Sequence, residues 1–356
     1  MQRWKWEWKK ITMKIKKLVL ALFLFTFVLS ENLFAKALPP GSGIGDVPAN
    51  VLIMLDKSGS MGWRMGGGTT GMKYPYDAAA DSNGDILVSQ YNRDGVKKFV
   101  YDTATLDSGF GKNGLSGKGN SKYEGSTNCK TSYSYSGEVY NDVYYTTAYF
   151  AKAVVAINAS NGQCIKKYNL GFYPYNMTID QTTGYLYVGG SNGFKTINLS
   201  NNSMSNCSLN NNFKYNYGST VSGGYYYFYR NNRVYRSTLS TGGSRCPGNS
   251  TVNFRYREGS YAGLQANPSD STELWTLSWS NSRMKKLTVN SAGNGYTQNF
   301  SKGRRSMSTS TASATNFYYP WGLGWDATNN RVIAADLNKG TVQIFDTSGT
   351  WVKNFG

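Results

Sequence analysis

The 356-residue chain carries 38 Lys+Arg against 20 Asp+Glu, a formal charge of +18, and no histidine. The missing histidine excludes a Ser-His-Asp triad, a Cys-His pair, His-ligated zinc and a His general base. With 28 Tyr, 16 Phe, 9 Trp and 40 Gly, the composition suits pleated sheets and tight turns, and a 40% hydrophobic content can bury a core.

The first element is a leader. Lys14, Lys16 and Lys17 precede the apolar run 18–29, and Ala35-Lys36-Ala37 follows with small residues at cleavage-site spacing. Basic n-region, short h-region and A-x-A site predict a secretory signal peptide over residues 1–37 and an exported, secreted or cell-surface protein. The run is shorter than the roughly 20 residues a membrane-spanning helix needs. Met13 opens a more usual leader than Met1. Residues 1–37 hold eight basic and two acidic side chains, so cleavage leaves a charge of +12. An even count of four cysteines in an exported chain predicts disulfides. Four allow three connectivities. Spacings of 35, 43 and 39 residues, close to the repeat length below, favour Cys129–Cys164 and Cys207–Cys246, with four buried thiols as the alternative.

The second element spans residues 38–72. Val51 to Leu55 is an apolar run ending in Asp56, so a buried strand carries a carboxylate at its C-terminal end, where open α/β sheets place ligands. Asp56, Ser58 and Ser60 then offer hard oxygens at alternating positions, a donor set suited to Mg²⁺ or Ca²⁺. With Gly59, Met61 and Gly62, this loop resembles the D-x-S-x-S metal-ion-dependent adhesion site of von Willebrand factor type A (VWA) domains. The resemblance implies a divalent cation on Asp56, Ser58 and Ser60, completed by a Thr and an Asp from later loops. No strand–helix alternation follows Gly62. The domain is therefore expected to be incomplete, with low metal occupancy, or to resume beyond Gly356 in a longer parent.

The third element, residues 73–356, repeats with a period near 40–48 residues. The last unit runs Tyr-Pro-Trp-Gly-Leu-Gly-Trp-Asp (319–326), Arg-Val-Ile-Ala-Ala-Asp (331–336) and Thr-Val-Gln-Ile-Phe-Asp (341–346), then closes with a fourth short run. Asn, Asp and Gly turns separate these strands, which predicts a four-stranded meander. Tyr-Pro-Tyr openings at 74–76 and 173–175 start matching units, and weaker copies begin near Ser132, Tyr215 and Glu258. The units resemble NHL repeats, which implies an all-β fold, a six-bladed β-propeller. Asp81, Asp180 and Asp326 precede turns and are expected to cap them. The Asn/Ser and Ser/Thr stretches 201–217 and 303–315 read as polar loops. Triplets such as Asn198-Leu-Ser200 matter only in a host that glycosylates exported proteins.

Export, an adhesion-type loop and a propeller together resemble large surface adhesins such as the PilC/PilY family of type IV pilus-tip proteins. The order departs from that family, because the propeller directly follows the first metal loop. The resemblance implies cation-assisted binding of a protein or an anionic surface such as polysaccharide or lipid headgroups, in a pilus or other surface assembly, with no catalytic residues. Two alternatives stay open: a His-independent propeller lyase or hydrolase acting on an exported substrate, although no paired carboxylates stand out, and an RNA- or polyanion-binding propeller using Arg230–Arg236, Lys285-Lys286 and Lys302–Arg305. Export argues against nucleic acid.

Overall fold

The computed structural model describes residues 72, 74–91, 95–111, 114–116, 129–131, 133–209, 213, 216–257, 259, 262–305 and 316–356. The predicted signal peptide, Asp56, Ser58, Ser60 and the repeat starts Ser132, Tyr215 and Glu258 lie outside the described residues.

Short runs of β-branched and aromatic residues between Gly, Asn and Asp turns fold as antiparallel meanders. The first contains β1 (Pro75–Ala80), β2 (Ile86–Gln90), β3 (Val96–Val100) and β4 (Thr105–Leu106), with β5 (Leu115–Ser116) also paired to β3. The second contains β6 (Gly137–Tyr140), β7 (Val143–Ala148), β8 (Ala153–Asn158) and β9 (Cys164–Asn169). The third contains β10 (Pro174–Asp180), β11 (Tyr185–Gly190), β12 (Phe194–Asn198) and β13 (Met204–Asn206). The fourth contains β14 (Ser219–Ser222), β15 (Tyr225–Arg230), β16 (Arg233–Leu239) and β17 (Pro247–Arg257). The fifth contains β18 (Ala262–Asn267), β19 (Asp270–Ser278), β20 (Arg283–Val289) and β21 (Tyr296–Lys302). A short parallel pair, β22 (Arg304–Arg305) with β23 (Asn316–Phe317), leads to the sixth. That sheet contains β24 (Pro320–Asp326), β25 (Arg331–Asp336), β26 (Thr341–Asp346) and β27 (Trp351–Phe355).

The first strands touch in the order β1, β6, β10, β14, β18, β24 and back to β1. The protein is therefore an all-β, six-bladed propeller with no α-helix among the described residues. No helix among them is long and apolar enough to cross a membrane. Both polar stretches differ from the loop expectation: Met204–Asn206 is the outer strand of blade three, and Arg304–Arg305 pairs with Asn316–Phe317. Edge strands with one exposed face need few apolar residues, so their pattern is weak.

The core lies between blades. Successive strand residues point to opposite faces, so each blade feeds two seams. Ala78, Ile86 and Val88 pack against Ile333, Val342 and Phe355 of blade six. Their neighbours Ala79 and Leu87 pack against Tyr144 and Val155 of blade two. Four further clusters fill the remaining seams. Ring closure joins two complete blades, without exchange of a strand. Thr328 Oγ1 donates to the Ser82 carbonyl at 3.1 Å and Lys353 Nζ to that of Tyr101 at 2.7 Å.

Cys129 is disulfide-bonded to Cys164, and Cys207 to Cys246. The first bond ties the segment entering blade two to its outer strand. The second ties blade three to blade four. Asp81, Asp180 and Asp326 cap their turns: Asp81 Oδ1 accepts from the Asn83 and Asp85 amides at 3.0 Å, Asp180 Oδ1 from Thr182 at 3.0 Å, and Asp326 Oδ1 from Asn329 at 3.0 Å.

Candidate functional site

The propeller axis has three levels: an aromatic mouth, a polar waist and an opposite vestibule. The repeat opening builds the mouth. Tyr76, Tyr135, Tyr175, Tyr217 and Trp321 precede Asp77, Ser136, Asn176, Gly218 and Gly322, which line the waist in five blades. One aromatic side chain from each of those blades thus converges on the axis.

Tyr135 is the hub. Its ring centroid lies 5.0 Å from Tyr76, 5.3 Å from Tyr149, 5.9 Å from Tyr175 and 6.5 Å from Trp321. Its amide donates to Thr147 Oγ1 at 2.8 Å, which fixes it against blade two. Trp321 also meets Tyr76 at 4.7 Å and Tyr217 at 5.8 Å. The network extends outward because the end of each second strand lies beside the start of the first. Pro75 pairs with Gln90, bringing Tyr91 to within 5.0 Å of Tyr76. Tyr91 meets Tyr133 at 4.3 Å, Tyr133 meets Phe150 at 4.6 Å, and Tyr149 meets Tyr173 at 4.8 Å. Ten rings are linked, mostly edge-on or tilted, the arrangements their quadrupoles favour. Two of them are exposed, Phe150 at 59% and Tyr173 at 36%, while Tyr76 is buried and the rest are half-buried. A second group, Trp279, Tyr318 and Tyr319, stands at the matching ends of blades five and six, with rings 4.6–4.7 Å apart. Tyr74, Tyr133 and Tyr319 hold φ of 50°, 57° and 57°, a region bulky residues avoid. Backbone strain of this kind clusters at functional sites.

Below the rings, the waist is closed to about 20 Å³, room for about one water. Asp77 and Glu138 stand here on adjacent blades. Asp77 accepts from the Gly137 amide and Ser136 Oγ, both at 3.1 Å, and from the Ala78 amide at 3.0 Å. Burial nevertheless pushes its carboxyl up to about 7. Burial pushes Glu138 up to about 8, against a hydrogen bond from the Ile179 amide, and the charge of Asp77 adds to the rise. Glu138 also borders the vestibule, a cavity of about 480 Å³ that includes Asp81, Asp142, Gln181, Gln265 and Trp325. No contiguous motif announces Asp77 and Glu138, because the fold alone brings them together.

The raised carboxyls set a pH dependence. A group with a raised folded-state pKa keeps a proton that the unfolded chain has released, so stability falls as pH rises from about 4 to about 8 and returns on acidification. Asp336, pushed by burial to about 7, acts with the same sign. The expected result is a stability that climbs between pH 8 and pH 5 by on the order of 2 kcal/mol per group, with Tm rising in step. Glu138→Gln should flatten that climb. Parallel pH–Tm profiles for variant and parent would contradict it.

Among the described residues, no group of three or more His, Cys, Asp or Glu side chains could hold a metal ion. Among the basic runs, Arg233 and Arg236 lie on β16 and Lys285 and Lys286 on β20, the third strands of blades four and five, and Lys302 lies on the outer strand β21. Arg236 lies over Tyr225 at 4.0 Å, Lys286 pairs with Glu273 at 2.6 Å, and Lys302 donates to the Gly349 carbonyl at 2.7 Å. Lys302 and Lys286 reach blade six, the latter through the Thr347 carbonyl at 3.0 Å, whereas the ring contact of Arg236 lies within blade four.

No protein-family model and no curated protein matches the sequence. Solved structures with similar folds include hydrazine synthase from Kuenenia stuttgartiensis, at 11% identity over 78% of this chain and 78% of that one, with a TM-score of 0.50. A functionally unknown protein from Desulfotomaculum acetoxidans DSM 771 is 9% identical over 80% and 86%, with a TM-score of 0.50. A chain of a nidogen/laminin complex is 11% identical over 76% and 92%, again at 0.50. At these identities the likeness concerns the propeller fold alone.

Proposed function

We propose that the protein is an exported surface-binding protein, with the propeller as a rigid interaction platform and the aromatic mouth as its contact face. The observation that carries this reading is the convergence of ten linked rings on one mouth, including an exposed phenylalanine and tyrosine. Water-exposed clustered aromatics mark interaction sites more often than structural ones. The partner is a protein or an anionic surface ligand, and a pilus or similar assembly is one setting for it. Two disulfides agree with an oxidising compartment.

In this reading Asp56, Ser58 and Ser60 assist by holding Mg²⁺ or Ca²⁺. One carboxylate and two hydroxyls are hard donors that fit such an ion. The cation would supply an open coordination position for a carboxylate of the partner. Attachment to cells or matrix should fall on chelation and equally in Asp56→Ala. Attachment indifferent to EDTA would rule out the cation's part.

A second reading, a His-independent lyase or hydrolase, draws on Glu138. A carboxyl held up to about 8 beside a 480 Å³ cavity is a proton donor at neutral pH. Turnover of an exported substrate that is lost in Glu138→Gln would favour it.

A further inference from the structure

We propose that the aromatic mouth binds an acidic polysaccharide, its rings stacking on pyranose faces while Lys152 and Arg305 take the acidic substituents; this rests on the reading of the mouth as a binding platform.

Three observations favour this ligand. The first is chemical. Apart from Lys152 at its edge, the network consists of aromatic faces, phenol hydroxyls and the Trp321 indole N–H, and a hydroxyl both donates and accepts. A pyranose has the same two surfaces, C–H-rich faces and hydroxyls. Burial raises the phenol pKa values of Tyr76, Tyr91 and Tyr135, so these groups stay neutral throughout the physiological range. The second is preorganisation. Phe150 is held edge-on by Tyr133 at 4.6 Å and Tyr149 at 5.1 Å, yet is 59% exposed. Rings already fixed by one another lose little freedom on binding.

The third observation is charge. Lys152 is exposed, with Nζ 4.7 Å from the Tyr173 centroid, and Arg305 is exposed, with its guanidinium 4.3 Å from the Tyr319 centroid. Each cation thus sits on a ring at the border of an aromatic group. Lys152 is itself held at a φ of 47°, which L-residues rarely adopt. No Asp or Glu side chain belongs to either ring group, and the carboxyls beside them are buried: Asp77 follows Tyr76, and Asp336 Oδ2 accepts from the Tyr318 amide at 2.8 Å. A basic chain disfavours the quaternary ammonium ligands that aromatic cages otherwise take. Rings plus flanking cations match a sugar chain bearing uronates.

The test is titration of the disulfide-intact protein with polygalacturonate, neutral dextran and polyglutamate. Polygalacturonate should bind, more weakly at high salt. Dextran should bind at least tenfold more weakly, and polyglutamate, a polyanion without pyranose rings, should not compete. Phe150→Ala with Tyr173→Ala should weaken polygalacturonate binding on the order of tenfold or more. Lys152→Ala should weaken it less and flatten the salt dependence. All three positions are exposed, so thermal melts should match the parent. Equal binding of polyglutamate would overturn the inference, as would polygalacturonate binding indifferent to the face variants. Cell attachment that depends on Phe150 and Tyr173 without any polygalacturonate binding would overturn the ligand class and leave the platform reading standing.

Discussion

Gly324→Ala should unfold the propeller at a markedly lower temperature, because ring closure depends on bare backbone there. A Cβ at Gly324 would fall 1.7 Å from the Ala78 carbonyl oxygen and 2.9 Å from its carbon. At Gly322 it would fall 2.3 Å from the Tyr76 oxygen. Both obstacles are main chain, which cannot rotate away as a side-chain tip can. Inner strands of blades six and one therefore approach as closely as they do only with glycine at these positions. Overpacking of this kind costs about 3 kcal/mol or more, and a chain of this size should lose roughly 10 °C in Tm. Gly242→Ala is the control. No atom lies within 4 Å of a Cβ there, so its stability should stay within about 0.5 kcal/mol of the parent and its Tm should barely move. Equal Tm for Gly324→Ala and Gly242→Ala would remove glycine from the closure argument.

The second large effect should come from the disulfides. Cys129–Cys164 and Cys207–Cys246 span 35 and 39 residues. Restricting unfolded loops of those lengths stabilises the fold by about 4 kcal/mol each in the chain-entropy treatment. Replacing Cys207 and Cys246 with serine should lower Tm by roughly 10 °C. Additional strain falls on the seam between blades three and four, where Cys207 packs with Phe194, Phe213 and Tyr226. The Cys129/Cys164 pair lies in a different seam, so the two losses should be nearly additive. A melting curve unchanged by reductant would contradict both.

The blades were legible in sequence because each third or fourth dozen of residues restarts the same turn chemistry. Val332 and Ala334 face one seam while Ile333 and Ala335 face the other, so strands of the inner ladder read as continuous apolar runs. Asp81, Asp180 and Asp326 mark strand ends through their own hydrogen bonds. Outer strands such as Met204–Asn206 were hidden, because an exposed edge needs no apolar face.

The site was only half legible. The Tyr-Pro-Tyr openings at 74–76 and 173–175 are conspicuous as repeat markers, but their consequence is radial. A residue repeated once per blade becomes a ring around the axis, and that placement exists only after closure. Placing the openings of all six units on one circle would have revealed it. Asp77 and Glu138 carry no such signal, since each sits in a different local context and only the shared waist relates them.

Ligands are proposed to meet this protein at the aromatic mouth. The most direct measurement compares attachment of the parent and of Phe150→Ala/Tyr173→Ala to a surface that the parent binds, with Val252→Ala, an exposed position on an outer strand, as the reference. Attachment should drop about tenfold or more in the mouth variant and stay unchanged in the reference. Undiminished attachment by a mouth variant whose melting temperature equals that of the parent would contradict it.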